Sequence, residues 1–117
     1  MVPFSPETEQ SGGGQRLVPN VWSWYQRNVE IEAQPGKRLL LHFGAVDQIC
    51  TVWVNDVEVG THVGGYLPFS FDITDQMADS SLSIRVRVQD FSETHFHARG
   101  KQRLDRGQIW YTAQSGI

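Results

Sequence analysis

Residues 51–75 read TVWVNDVEVG THVGGYLPFS FDITD, and the reading of this stretch decides the fold. Val52 and Val54 alternate with Thr51, Trp53 and Asn55, a period of two that predicts a β-strand with Trp53 on the face opposite the valines. Asn55-Asp56 tolerate positive φ and can reverse the chain. Val57 and Val59, alternating with Glu58 and Gly60, predict a second strand returning beside the first. Gly64-Gly65 permits a sharp bend that side chains would forbid. Tyr66, Phe69 and Phe71 bring large apolar area to a third strand, and Pro68 holds Leu67 extended. Asp72 to Asp75 has turn chemistry, in which a carboxylate hydrogen-bonds nearby backbone.

Outward from this hairpin the same period recurs. In 24–32, Tyr25, Val29 and Ile31 share one face, and Gln34-Pro35-Gly36-Lys37 forms the following turn. Residues 38–46 are apolar on both parities, Leu39, Leu41 and Phe43 against Leu40 and Val46, which predicts a central strand covered on both sides, with His42 half-buried. Leu82, Ile84, Val86 and Val88 alternate with Ser83, Arg85, Arg87 and Gln89, the clearest half-buried strand, whose outer arginines would discourage edge pairing. Residues 1–20 lack periodicity, and Pro3, Pro6, Pro19 and the run Ser11-Gly12-Gly13-Gly14 make them an irregular segment. Asp90 to Gly107 is a long polar and aromatic loop, of the kind that is usually functional or disordered. Six or seven short strands and no helical period predict an all-β, antiparallel sandwich or jelly roll, with 1–117 as a single domain.

The chain has 117 residues, enough for a real core, and a net charge of -3 with scattered Lys and Arg, so nucleic acid is not an expected partner. No apolar run approaches the ~20 residues of a membrane span. Met1 is followed by Val-Pro-Phe-Ser-Pro, which is no signal peptide, and the single cysteine, Cys50, excludes an internal disulfide. A cytoplasmic location is therefore expected, with Cys50 a small core residue. The four tryptophans suit either sugar-stacking platforms or a sandwich core.

The segments VWVNDVEVG (52–60), HVGGYLPF (62–69) and FDITD (71–75) resemble the amino-terminal, sugar-binding jelly-roll domain of glycoside hydrolase family 2, the β-galactosidase and β-glucuronidase family. VPFSPE (2–7), RGKQ (99–102) and IWYTAQSGI (109–117) are similar to further segments of it. The resemblance implies a galactose-binding-domain-like jelly roll, here lacking its last strand and so exposing a sheet edge through which a homodimer could form. It implies a fragment of a larger glycosidase whose catalytic glutamates lie on a later barrel domain, so this chain alone is expected to be inactive. Terminal β-glycosides, reached through the parent enzyme, and the parent's immunoglobulin-like and barrel domains are the implied partners. A free-standing carbohydrate-binding module is the alternative.

The candidate residues follow. Asn20, Trp110 and Tyr111 match family positions near the sugar. Galactoside- and glucuronide-handling members tend to carry aspartate where Trp110 stands, and a tryptophan there could stack on a sugar or pack on the barrel. Arg99, Lys101 and Gln102 are expected at an interdomain surface or site rim. Asp47, Asn55, His62, Gly64, Gly65, Tyr66 and Asp72 are assigned structural roles, Asp47 as a loop-fixing acceptor and His62 through a hydrogen bond that holds the glycine bend. Trp24 is expected in the core. Asp47, Asp72, Asp75 and Asp90 are the strand-end candidates for the paired carboxyls of glycosidic hydrolysis, and turn chemistry accounts for Asp72 and Asp75. His95 and His97 share a face if extended but lack the further ligands zinc requires, so no metal is expected, nor any cofactor.

Overall fold

Alternation translates directly into strands. The computed structural model describes residues 2, 4–16, 18–32, 34–77 and 80–117. In chain order the strands are β1 (Ser23–Glu30), β2 (Leu40–Phe43), β3 (Ile49–Val54), β4 (Val57–Val63), β5 (Phe69–Asp72), β6 (Ser81–Gln89), β7 (Gln102–Arg103) and β8 (Tyr111–Thr112). Glu9–Ser11 and Thr74–Gln76 are single 3₁₀ turns, and no other helical element occurs among the described residues. One antiparallel sheet has the order β1-β6-β3-β4, and β2 and β5 form a second antiparallel sheet. The short β7 and β8 pair in parallel.

The β3–β4 reversal forms as the residue types require. Asn55 has φ 48° and Asp56 φ 66°, both left-handed, the geometry of a primed hairpin turn. Asn55 also ties the hairpin to its surroundings. Its amide donates to Gln76 O at 2.9 Å, its Oδ1 accepts from the Ser83 N–H at 2.9 Å, and its own N–H donates to Ser83 O at 3.0 Å. Asp72 behaves as a turn residue, accepting from Thr74 N–H at 3.0 Å and from Thr74 Oγ1 at 2.6 Å while it pairs with Arg38. The Thr74 hydroxyl is the main cause, with its N–H and Arg38 adding, of a carboxyl held below the usual range.

Two buried clusters lie between the sheets. Val46, Cys50, Val52, Val86 and Val88 form one, and Val54, Ile73 and Leu82 the other. Leu41, Val59, Phe71 and Ile84 touch both. Phe69 stacks on Phe43 with ring centres 4.9 Å apart and meets Phe71 edge-on at 5.6 Å, which closes one end of the core with aromatic area. Fully burying a side chain such as Leu82 stabilises by about 2 kcal/mol before any cavity term.

Four expectations need correction. The 38–46 strand is β2, which among the described residues pairs with β5 alone and is not central: Leu41 and Phe43 face the core while Leu40 and His42 are exposed, His42 bonding Ser70. Continuous apolarity there marks one covered face plus an outward leucine. The arginine-bearing β6 is no edge strand, since β1 and β3 flank it, and its arginines line the outer face of the central strand. Trp24 is exposed rather than core, because its register opposite Arg87 puts it on that outer face, against Trp53. His62 stacks on Phe69 at 4.0 Å; its Nδ1 has no hydrogen-bond partner among the described residues, and Gly64 N–H donates to Gln48 O instead.

Candidate carbohydrate site

Beyond β6 the chain loses period-two patterning, and side-chain bonds rather than ladders order it. Asp90 is buried and accepts from the Ser92 N–H at 2.5 Å, which starts the loop. Arg99 donates to Glu93 O at 3.4 Å, and Arg103 pairs with Glu93 at 3.0 Å. β7 and β8 then converge: Tyr111 N–H donates to Lys101 O at 2.7 Å, and Gln114 N–H to the Gln102 side chain at 2.6 Å. Arg99, Lys101 and Gln102 thus make bonds inside this chain that shape the loop.

Trp110 closes the turn that begins at Gly107, with Trp110 N–H donating to Gly107 O at 3.0 Å. Gln108 takes φ 54° within it. The Arg103 guanidinium lies 5.1 Å from the Trp110 ring centre and is itself held by Glu93, so the indole is fixed on one side. Neighbouring Tyr111 and Ile109 are 69% and 64% exposed, an aromatic and an aliphatic side chain offered to solvent at one loop tip. Asn20 is also exposed, in a left-handed conformation with φ 65°, and no described contact joins it to Trp110.

The N-terminal segment supplies a residue that composition did not flag. Glu7 accepts from Ser115 N–H at 3.1 Å and Ser115 Oγ at 2.8 Å, and also from the Ser5 hydroxyl. The irregular start is thereby bound to the Ser115-Gly116-Ile117 segment. Asp47 N–H donates to Gly116 O at 3.0 Å, which joins the same region to the start of β3. Beside these contacts lies a cavity of about 400 Å³ lined by Glu7, Gly14, Arg16, Asp105, Arg106 and Thr112 among others. That volume is within the range of small-ligand sites, and the lining offers two guanidiniums and two carboxylates. A polar, hydroxyl-rich ligand suits it better than an apolar one. Arg16, Asp105 and Arg106 could not be picked out beforehand because only the folded loops bring them together.

A second cavity, about 10 Å³, is lined by Asp47, Asp90, Ser92, His97, Gln102 and Gln114 among others. It has room for about one water and not for a sugar ring, so Asp47 and Asp90 cannot act there as a glycosidic acid–base pair. Asp47 accepts no hydrogen bond from the described residues and instead packs under the glycine bend, where a Cβ on Gly65 would lie 2.8 Å from its Cγ. Its expected role as an acceptor is corrected accordingly. Tyr66, just past the bend, is 58% exposed. His95 packs against Phe91 with ring centres 3.9 Å apart and tilted by 41°, and no group of three or more metal-ligating side chains occurs among the described residues.

Burial first, and then the charges of Asp90 and Glu7, push the Asp47 carboxyl from 3.8 up to about 6. Asp90 is raised as well, chiefly by burial. An acid whose folded value exceeds its unfolded value retains its proton better in the fold, so stability falls as pH rises between about 4 and 6. Asp47→Asn, which keeps the shape and cannot ionise, should flatten this fall and raise the urea midpoint near neutral pH. Midpoints measured across that range check it, and a wild-type midpoint that does not change over it would contradict the assignment.

Two antiparallel sheets enclosing the buried clusters, with the short β7–β8 pair beyond them, define a β-sandwich. Residues 14–113 match the family model "Glycosyl hydrolases family 2, sugar binding domain", and the chain belongs to that family. It is 38% identical over 74 residues to a beta-galactosidase of Thermoanaerobacter pseudethanolicus, which covers 62% of this chain and 10% of that protein. It is 38% identical over 66 residues to the beta-glucuronidase of Canis lupus familiaris, covering 53% and 10% of the two chains. Among solved structures, a Bifidobacterium dentium beta-glucuronidase complexed with coumarin-3-O-glucuronide superposes with a TM-score of 0.56 at 33% identity, over 58% of this chain and 11% of that one. An FMN-binding beta-glucuronidase from Facaelibacterium prausnitzii gives 0.62 at 25% identity, over 81% and 14%. The chain therefore spans about a tenth of the length of these relatives.

Proposed function

We propose that this chain is the non-catalytic amino-terminal domain of a larger enzyme that hydrolyses the O-glycosidic bond of a terminal β-galactoside or β-glucuronide. In this reading it braces a catalytic barrel and lends Trp110, Tyr111 and Asn20 to the sugar pocket. The observation that carries it is the loop tip itself, where a tryptophan clamped by the Arg103–Glu93 pair stands beside an exposed tyrosine on a sugar-binding family fold. Closing a pocket with a rigid loop from a second domain orders the substrate and excludes water, which strengthens the electrostatics around the barrel's carboxylates. Partner barrel and immunoglobulin-like domains, a homodimer through a sheet edge and a cytoplasmic location belong to the same proposal.

The test is kinetic and is made in the full-length parent. An aromatic stacking contact contributes about 0.5–1.5 kcal/mol, so Trp110→Ala should raise KM for an aryl β-glycoside about 2- to 12-fold, with Trp110→Phe recovering part of the loss. Kinetics unchanged by Trp110→Ala would remove the loop from the pocket.

A further inference from the structure

The outer face of the four-stranded sheet carries a row of planar groups that the loop site does not use. Trp24 of β1 is 58% exposed, and its ring centre lies 5.5 Å from that of Trp53 in β3, tilted by 33°. The Arg87 guanidinium of β6 lies 5.3 Å from the Trp53 ring centre and 4.1 Å from that of Trp22, which is itself 43% exposed. Register creates the row. Trp24 stands opposite Arg87, and Arg87 opposite Thr51; one step along, Gln26 stands opposite Arg85, and Arg85 opposite Trp53. A shallow groove of about 270 Å³ lies at the β1 side of the row, lined by Trp24, Tyr25, Gln26 and Arg85.

A solvent-facing sheet surface is normally polar, and three indoles gathered on one such face mark a binding surface. The kind of ligand follows from what stands between the rings. Arg85 pairs with Asp56, and Glu58 lies opposite Trp53 in the register, so the carboxylates nearby offset the two arginines and the face is close to neutral. Gln26 is exposed, with a single long bond, 3.5 Å to Ser83. The Arg87 Nε is buried with no hydrogen-bond acceptor among the described residues, while its Nη2 donates to Thr51 Oγ1 at 3.3 Å and its guanidinium lies over the Trp22 ring. A dry protein surface laid on this row would leave Gln26 and Glu58 short of partners. A saccharide presents an apolar C–H ring face to an indole and hydroxyls to its flanks, which meets both requirements at once.

We propose that this face is a second carbohydrate-binding platform, separate from the Trp110 loop, that takes a neutral oligosaccharide laid across Trp24 and Trp53 with Gln26 and Arg85 hydrogen-bonding its hydroxyls. It does not depend on the loop reading. The test titrates the purified chain with neutral β-linked hexasaccharides of glucose and of galactose, followed by tryptophan fluorescence and calorimetry. The expected result is saturable binding of one of them that Trp24→Ala or Trp53→Ala weakens about tenfold and Trp110→Ala leaves unchanged. Gln26→Ala, at an exposed position, should weaken it about threefold and serves if Trp24→Ala does not fold. Failure of both sugars to bind overturns the proposal, as does loss of binding in Trp110→Ala alone. If Trp24→Ala abolishes self-association while sugar binding is absent, the face is a protein interface and the proposal is likewise overturned.

Discussion

Leu82→Ala should lower the unfolding free energy by about 3 kcal/mol, within the 2–5 kcal/mol typical of truncating a fully buried leucine. Leu82 has no exposed surface and packs with Val54 and Ile73, with Val29, Ile31, Leu39 and Met77 around them. Its strand is hydrogen-bonded on both sides, to β1 and β3, so the backbone cannot move in to fill the space left behind. Most of the penalty is therefore a cavity that persists, added to the lost transfer energy. For a domain whose total stability is about 5–15 kcal/mol, this is a large share. The measurement is a urea midpoint shifted down at constant slope. Ser83→Ala, the next residue on the opposite face, is the control and should change stability by less than about 0.5 kcal/mol. Equal effects at the two positions would contradict the assigned facing of β6.

Gly60→Ala should destabilise by about 2–3 kcal/mol through overpacking. A Cβ at Gly60 would lie 2.8 Å from Cδ1 of Phe71. Phe71 cannot give way easily, because it touches both core clusters and meets Phe69 edge-on. The absence of a side chain on β4 is what lets the second sheet close over the first at this point. Combining Gly60→Ala with Phe71→Leu should recover part of the loss, since the smaller side chain vacates the contested space. A double-mutant cycle measures this directly, and additive losses would show that the two residues do not compete for the same space.

How much of this was legible beforehand depended on whether the signal was local. The 52–60 hairpin was legible because alternation and the Asn55-Asp56 pair act within a few residues, and both left-handed φ values occur there. The burial of Cys50 is legible from its apolar strand. The exposure of Trp24 is not legible, because burial depends on which face the strand register turns outward, and that is settled only by pairing with β6. The apolar run at 38–46 could not reveal that Leu40 points away from the core. In the candidate site, Trp110 and Tyr111 are legible only through the resemblance to a family motif. Glu7 was not, since its bonds to Ser115 join segments 108 residues apart and leave no pattern along the chain. The Trp22–Arg87–Trp53–Trp24 row likewise exists only after three strands align.

The central claim is that this fold carries carbohydrate contacts for chemistry located on another domain. The most direct measurement is a matched assay of aryl β-galactoside and aryl β-glucuronide hydrolysis by the purified 117-residue chain and by the full-length parent. The account predicts turnover of one of these substrates by the parent, weakened by Trp110→Ala, and none above the uncatalysed rate by the chain alone. Hydrolysis by the isolated chain, abolished by changing Asp47 or Asp90, would contradict it.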